Sequence, residues 1–324
     1  MNNPQYSHIN LKVTGSALLL LGDIGLVRHE GLFTFLRNLL DQNRGCRIFY
    51  ALGNHEAYQT ILEHAVERMR DFENTAKQDY GGRFRLLFRD RYDLNENVTI
   101  LGCTLWSDIQ PEQAAEVGSR MTDYNEDRGI QDWTLEKSCT EHARDLAWLN
   151  AQVKLIQEKE PKRSVIVATH HCPTIDPRAT DPRHSSSTMN SGFVSDLSQE
   201  ICWTSPAVKA WAFGHTHYSC AFRDEGTDTL VVSNQKGYGG IAGSGGKGRG
   251  VKTVVVEQKG DRWDVVDVGQ VSRKEERSDK AVESSMGVAT INATGDTIVQ
   301  PDNHARPKTG LFSQAGKRIK ALFQ

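Results

Sequence analysis

Residues 17–25 read Ala-Leu-Leu-Leu-Leu-Gly-Asp-Ile-Gly, a short apolar run that ends in glycine and is followed at once by an aspartate. A run of this length and composition is typical of a strand that is buried on both faces of an α/β sheet. Three later segments also follow predicted strands and carry metal-ligand side chains: Gly53-Asn-His-Glu56, Thr169-His-His171 and Gly214-His-Thr-His217. The sequence therefore predicts several buried strands that are each followed directly by polar side chains.

Strands and helices alternate along the rest of the chain. Apolar runs bounded by turn residues predict strands over residues 17–22, 46–52, 84–88, 98–103, 164–169, 208–213, 229–233, 251–257 and 263–268. Apolar residues at helical spacing predict helices over 31–43, 58–71 and 135–157. The polar stretch 108–134 has no clear periodicity and is predicted to be a functional or disordered loop, and the glycine-rich segment 237–250 a flexible one.

The bulk composition excludes several classes of protein. The 324 residues carry a formal net charge of −2, which gives no sign of a nucleic-acid partner or a charged membrane surface. No apolar run approaches the roughly 20 residues that a membrane span needs, and the first residues do not form a signal peptide. The six cysteines include no CxxC pair, which favours reduced thiols and a cytoplasmic location.

The chemistry is expected at the strand ends, because ligands of open α/β sheets bind in the crevice where those loops meet. Aspartate, asparagine and several histidines from separate strands are a suitable set of ligands for two divalent ions. Two ions about 4 Å apart can hold a phosphate ester and lower the pKa of a bound water. Taken singly, each segment has an ordinary explanation: Gly22-Asp23 as a turn, or Asn54 as a helix N-cap. The four segments together, in this order, favour a metal site.

This order of segments resembles the calcineurin-like metallophosphoesterase superfamily, whose blocks run D-x-H, G-D, G-N-H-[DE], H and G-H-x-H. The resemblance extends to the surrounding residues and is closest to the small phosphoesterases common in fungal genomes. It rests on Leu20-Leu-Gly-Asp-Ile-Gly25, Leu52-Gly-Asn-His-Glu56, Gly102-Cys-Thr-Leu-Trp-Ser107, Phe213-Gly-His-Thr-His217 and Val232-Ser-Asn-Gln-Lys-Gly-Tyr238. The fold that the resemblance implies is an α/β sandwich of two mixed β-sheets flanked by helices.

The resemblance also implies a role for each matching residue. Asp23 would bridge two divalent ions (Mn, Fe, Zn or Ni). The second ion would also be held by Asn54, His170 and His215, and the first by His217. His55 would be the general acid at the leaving group, and Glu56 would orient its ring. The neighbouring His171 would be a substrate-side or packing residue.

One block of the family pattern is missing, since no Asp-x-His precedes Gly22 and residues 1–21 contain no aspartate. Two explanations stay open at this point: an N-terminally truncated chain, or a degenerate member with a weakened first site. Either predicts that the first strand of the sheet is absent, that the edge of its neighbour is open, and that one ion is bound tightly instead of two. His8 is the one candidate for a replacement ligand in this segment.

The predicted organisation is a phosphoesterase domain over residues 1–270 followed by a disordered, dispensable tail over 271–324, where apolar periodicity is lacking. The predicted function is metal-dependent hydrolysis of a small phosphate mono- or diester. The alternative is a non-catalytic binding module that keeps the fold. A protein Ser/Thr phosphatase is disfavoured, because Ile24-Gly25-Leu26 stands where that group has Asp-Arg-Gly, and no basic stripe with aromatics supports a nuclease.

Overall fold

The apolar run at residues 17–21 is strand β1 (Ala17–Leu21), and all five of its residues are buried. The computed structural model describes residues 11, 13, 15–235, 254–268, 288–292 and 318–321. Leu18 and Leu20 join an apolar core with helices α1 (Glu30–Gln42) and α2 (Leu62–Asp79), whereas Leu19 and Leu21 join a core between two sheets. Because burying each leucine contributes about 1.5–3 kcal/mol, this alternation fixes β1 between two apolar layers.

Strand β1 and the remaining strands form two mixed sheets. The strands are β2 (Arg47–Ala51), β3 (Phe84–Leu87), β4 (Asp90–Asp93), β5 (Val98–Cys103), β6 (Ser164–Thr169), β7 (Val208–Phe213), β8 (Cys220–Arg223), β9 (Leu230–Ser233), β10 (Val254–Lys259), β11 (Arg262–Val268), β12 (Val288–Asn292) and β13 (Arg318–Ala321). The first sheet has the order β11-β10-β12-β13-β1-β2-β3, and the second has the order β4-β5-β6-β7-β9-β8. Strands β1, β2 and β3 run parallel, as do β5, β6, β7 and β9.

Helices cover the outer face of each sheet. Helices α1 and α2 lie on the first sheet, and α4 (Leu135–Lys159) and α5 (Ile201–Thr204) pack on the second, where Leu149, Val153 and Trp203 join its outer core. A third core lies between the two sheets. The predicted sandwich of two mixed sheets flanked by helices is therefore confirmed.

Several local predictions differ from the structure. The helix predicted from residue 58 begins at Leu62, because Tyr58 pairs across an isolated β-bridge with Ile130 instead. Strands β4 and β8 were not predicted, since short half-buried strands leave little apolar pattern. The stretch 108–134 contains helix α3 (Ala114–Arg120) and a 3₁₀ turn over Thr122–Tyr124. The predicted glycine-rich loop 237–250 lies outside the described residues.

The edge of β1 opposite β2 was expected to be open. In the structure this edge pairs with the backbones of β12 and β13, antiparallel and parallel respectively. Both strands also pair with β10, so they connect the β10–β11 hairpin to the rest of the sheet. Strands β12 and β13 come from residues 271–324, which were expected to be disordered. The other residues of that region lie outside the part of the chain that the structure describes. The exposed-edge expectation is therefore wrong, because backbone from the far end of the chain satisfies the hydrogen bonds of β1.

Candidate metal centre

Four strands end at one point of the sandwich, two from each sheet. The residues just after β1 and β2 supply Asp23 and Asn54, and those after β6 and β7 supply His170 and His215. All four side chains are buried, with exposed fractions of at most 3%. One ligand atom from each of Asp23, His170 and His215 lies within 4.8 Å of the others. The structure thus brings together four of the five predicted metal ligands.

Two glycines allow this close approach. Gly22 has a φ of +87°, and a Cβ there would lie 2.5 Å from the backbone nitrogen of Gly53 and would overlap the His170 ring. A Cβ on Gly53 would lie 2.7 Å from His170 Cε1 and would overlap the Asp23 carboxylate. Any larger residue would push the two loops apart. Gly22 and Gly53, which helped to identify these segments in the sequence, are therefore needed so that the two loops can pack against the His170 ring.

The two buried imidazoles present their lone pairs to one another. His170 Nδ1 lies 2.7 Å from the carbonyl oxygen of Leu21, and His215 Nε2 lies 3.1 Å from that of Gly192. A carbonyl only accepts, so each of these nitrogens carries the proton. In two neutral rings the opposite nitrogens, His170 Nε2 and His215 Nδ1, which are 3.1 Å apart, both carry lone pairs. Two such lone pairs repel each other unless a cation or a proton lies between the two nitrogens.

Oxygen acceptors surround the same point. His170 Nε2 lies 3.0 Å from Asn54 Oδ1 and 3.5 Å from Asp23 Oδ1. Burial, with the neighbouring His171 and His170 imidazoles, lowers the pKa of His215 well below its usual value, so that ring stays neutral. Ligands of a tetrahedral zinc site stand about 3.3 Å apart, given metal–ligand lengths of about 2.0–2.2 Å. The donor set therefore fits a borderline divalent cation.

Three of the predicted ligands sit on strained backbone. The φ angles are +57° at Asp23, +64° at His215 and +53° at His217, in the left-handed region that side chains with a Cβ rarely adopt. Such conformations persist only where surrounding contacts hold them, and they cluster at functional sites. Backbone strain thus marks the same loops that carry the ligands.

His217 lies at the rim of this cluster and is half-buried. Its backbone nitrogen donates to Gln235 Oε1 at 2.7 Å. Burial is the main cause that lowers the pKa of His217 to about 4, and the nearby His55 and His170 lower it further. The ring is therefore neutral at pH 7 and able to accept a cation.

Glu56 does not have the position expected of a group that orients His55. Its carboxylate accepts hydrogen bonds from the backbone nitrogens of Asp23, Ile24, Gly25 and Gly53 (2.7–3.2 Å) and from the Tyr50 hydroxyl (2.7 Å). The prediction that Glu56 orients the His55 ring is wrong, because these five donors occupy a fully buried carboxylate. Glu56 instead joins residues 22–25 to residues 53–56, which we call the strand-end loops.

His55 is held by other groups. Its ring stacks on Tyr58 with centroids 4.4 Å apart, and its backbone nitrogen donates to Asp23 Oδ1 at 3.0 Å. Its Nε2 lies 3.7 Å from Asp23 Oδ2, and 14% of its side chain is exposed. His55 thus stands beside the cluster, with an edge open to solvent.

Two neighbours of His170 are packing residues. His171 is 2% exposed and its ring packs on His215 and Trp106, at centroid distances of 4.0 and 5.5 Å. Of the two roles left open by the sequence, this burial supports packing. Cys172 is also buried, its thiol donates to the Thr174 carbonyl, and burial raises its pKa well above the usual range. The thiol is therefore not available as a thiolate ligand.

Sequence reasoning missed Asp123, which is 2% exposed and hydrogen-bonds Asn54. It lies in the stretch that was assigned to a loop without further detail. Asp123 has no characteristic spacing to another functional residue in the chain, so no sequence signal singled it out.

One family model and several known proteins match the chain. The family model for calcineurin-like phosphoesterases matches residues 6–219, well over half of the chain. An uncharacterised protein of Acanthamoeba polyphaga mimivirus is 28% identical over 229 residues, which are 68% of this chain and 78% of that protein.

Two solved structures share 14% identity with the chain. Phosphopantetheinyl hydrolase from Mycobacterium tuberculosis has a TM-score of 0.49, and the alignment covers 71% of this chain and 82% of that one. A dimetal phosphatase from Danio rerio has a TM-score of 0.40, with 68% and 72% covered. Among the helices that the structure describes, none combines the length and apolar character needed to span a bilayer.

Proposed function

We propose that this chain, which belongs to the calcineurin-like phosphoesterase family, hydrolyses a small phosphate mono- or diester with divalent cations. Residues 6–219, which match the family, include every predicted site residue. The observation that carries the proposal is the pair of facing imidazole nitrogens, His170 Nε2 and His215 Nδ1, 3.1 Å apart in a buried cluster with Asp23 and Asn54. In their neutral forms these nitrogens offer two lone pairs to one cation.

The residues at the cluster would hold the cations. Asp23, Asn54, His170 and His215 provide four ligands for one ion, and Asp23 and His217 provide two for a second. A divalent cation bound here supplies a Lewis acid that polarises the ester and lowers the pKa of a water. Because the second set has only two protein ligands among the residues that the structure describes, we expect the chain to retain about one tightly bound ion.

His55 is the proposed general acid. Stacking on Tyr58 and the backbone hydrogen bond to Asp23 limit its motion, and its Nε2 lies 3.7 Å from Asp23 Oδ2 while 14% of the side chain is exposed. A proton on Nε2 can there pass to the leaving oxygen as the ester bond breaks. Glu56 acts indirectly, since it fixes the strand-end loops that carry Asp23 and His55.

The substrate is proposed to be a small molecule, since the chain has no basic stripe for nucleic acid. All six cysteines are free thiols, which supports the cytoplasm as the compartment.

The experiment compares His55→Ala with the native chain on two esters, one with a nitrophenyl leaving group and one with a phenyl leaving group. We expect the variant to retain its metal and to lose about 10²–10⁴-fold in turnover of the phenyl ester, with a smaller loss on the nitrophenyl ester. Metal analysis after gel filtration should find about one ion per chain. Equal losses on both esters would remove His55 from the general-acid role. Two tight ions would show that another residue, with His8 the first to test, completes the second site.

A further inference from the structure

Asn54 can coordinate a cation only if its amide is turned the right way. Its Oδ1 faces His170 Nε2 at 3.0 Å, so its Nδ2 points to the other side. A turn of 180° about the last side-chain bond would bring Nδ2–H to the His170 lone pair, where it would donate a hydrogen bond. That flipped state satisfies His170 without metal, and it therefore competes with the cation.

A buried carboxylate occupies the other side of the amide. Asn54 Nδ2 donates to Asp123 Oδ1 at 2.7 Å, and the Tyr58 hydroxyl donates to the same oxygen at 2.5 Å. Asn54 Nδ2 also lies 3.1 Å from the Tyr58 hydroxyl oxygen. An ionised carboxylate only accepts, so a flipped amide would place Asn54 Oδ1 against Asp123 Oδ1 and lose both interactions.

The loop that carries Asp123 is fixed to the site segment through its backbone. Residues 113–134, which we call the docked loop, pair with residues 58–60: Gln59 N donates to Gly129 O at 2.7 Å and Gln131 N to Thr60 O at 2.9 Å. Ile130 N in turn donates to the Asp123 carbonyl at 3.0 Å. The position of Asp123 relative to Asn54 is thus set by main-chain hydrogen bonds on both sides.

We propose that Asp123 is a positioning residue that holds the Asn54 amide oxygen toward the metal site and disfavours the flipped, metal-excluding state. The inference rests on the proposed function, because it presupposes that the cluster binds a cation. Tyr58 assists, since its hydroxyl donates to Asp123 while its ring supports His55. The docked loop therefore contributes to metal affinity without supplying a ligand.

Asp123→Asn is the informative change, because it preserves the size and hydrogen-bonding capacity of the side chain but no longer favours one orientation of the Asn54 amide. The amide that this substitution introduces can accept from one orientation of Asn54 and donate to the other, so both orientations become acceptable. We expect the Kd of the full-length protein for Mn²⁺ to rise about tenfold, the lower end of the effect of outer-shell partners. The melting temperature of the metal-free protein should stay within about 2 °C, because about 1 kcal/mol shifts it by roughly 2–4 °C in a domain of this size.

The double variant Asn54→Asp/Asp123→Asn provides the rescue. The carboxylate introduced at position 54 offers an oxygen to the metal in either orientation, and the amide nitrogen introduced at position 123 can donate to its other oxygen. We expect the Mn²⁺ Kd to return to within about threefold of the native value. Asn54→Asp alone sets two carboxylates at hydrogen-bonding distance, so it should bind Mn²⁺ more weakly than the double variant. Because the double variant again pairs an amide donor with a carboxylate acceptor, this last comparison applies even where Asp123→Asn alone does not fold.

Tyr124→Phe is the matched control, because it removes a hydroxyl from the docked loop that bonds Ser138 and not Asn54. It should leave the Mn²⁺ Kd within about twofold of the native value. A native-like Kd in Asp123→Asn, or a double variant no better than Asn54→Asp, would overturn the inference. A native chain that binds Mn²⁺ but cleaves no phosphate ester would instead overturn the proposed function, and the Kd comparison would still decide the role of Asp123.

Discussion

The strand-end loops and the docked loop both secure Asn54, and they do so by different means. Glu56 ties the strand-end loops together through four backbone nitrogens and one hydroxyl. The docked loop reaches Asn54 through one side-chain oxygen of Asp123. Backbone hydrogen bonds set the path of the chain, whereas a side-chain bond sets the orientation of one amide. Damage to the first region should therefore affect folding and metal binding together, and damage to the second mainly metal binding.

Glu56→Gln should have the largest effect. A glutamine amide would direct N–H groups at backbone N–H donors, and leaving several buried donors unsatisfied costs about 3–5 kcal/mol of unfolding free energy. Urea unfolding of the metal-free chain measures this loss. Glu73→Gln is the control, since Glu73 accepts the Leu86 amide at 2.9 Å far from the site; it should cost about 1 kcal/mol. If Glu56→Gln and Glu73→Gln lose the same unfolding free energy, Glu56 has no special role in tying the strand-end loops together.

Gly53→Ala should come next. The added Cβ would lie 2.7 Å from both the Asp23 nitrogen and His170 Cε1, so the loop must move. We expect a loss of about 2 kcal/mol and a Mn²⁺ Kd raised at least about tenfold. Gly45→Ala has open space around its Cβ and should change stability by no more than about 0.5 kcal/mol. Titration calorimetry of Mn²⁺ binding to both variants tests this prediction. Unchanged Mn²⁺ binding in Gly53→Ala would show that the strand-end loops tolerate displacement.

Gly129→Ala should have the smallest effect of the three. A Cβ there would overlap the carbonyls of Thr122 and Asp123 and lie 2.7 Å from that of Asn125. The shift should raise the Mn²⁺ Kd about threefold to tenfold and cost about 1–2 kcal/mol. A Cβ at Gly118, in helix α3 of the same loop, would lie 3.2 Å from Leu135 Cδ1, the end of a side chain that can move. Gly118→Ala should therefore stabilise by up to about 1 kcal/mol through helix propensity and leave Mn²⁺ binding unchanged. If Gly129→Ala exceeds Gly53→Ala in its effect on Mn²⁺ binding, the docked loop is the more important region.

Much of the fold and the place where the candidate ligands meet were predictable, because both depend on local signals. Apolar runs such as Ala17–Leu21 and Ser164–Thr169 locate buried strands, and polar residues directly after them locate the edge where a site forms. The glycines beside Asp23 and Asn54 are also visible in the sequence, although the need for them comes from close contacts between the two loops and the His170 ring.

The supporting contacts were not predictable from the sequence. Asp123 meets Asn54 across 69 positions of sequence, and no periodicity or spacing connects them. The family resemblance implied that Glu56 contacts His55, whereas its carboxylate accepts hydrogen bonds from the loop that follows β1. The pairing of β1 with β12 and β13 likewise joins segments from opposite ends of the chain.

The candidate ligands of the metal centre come in equal number from the two sheets, Asp23 and Asn54 from one and His170 and His215 from the other. A cation bound by these four side chains would therefore hold the two sheets together. At a free ion concentration one hundred times its Kd, such a ligand adds about 2.7 kcal/mol to the free energy of unfolding. At low free metal the two sheets would separate more often, and each opening would expose the buried strand ends to proteases. The lifetime of the protein would then follow the metal supply.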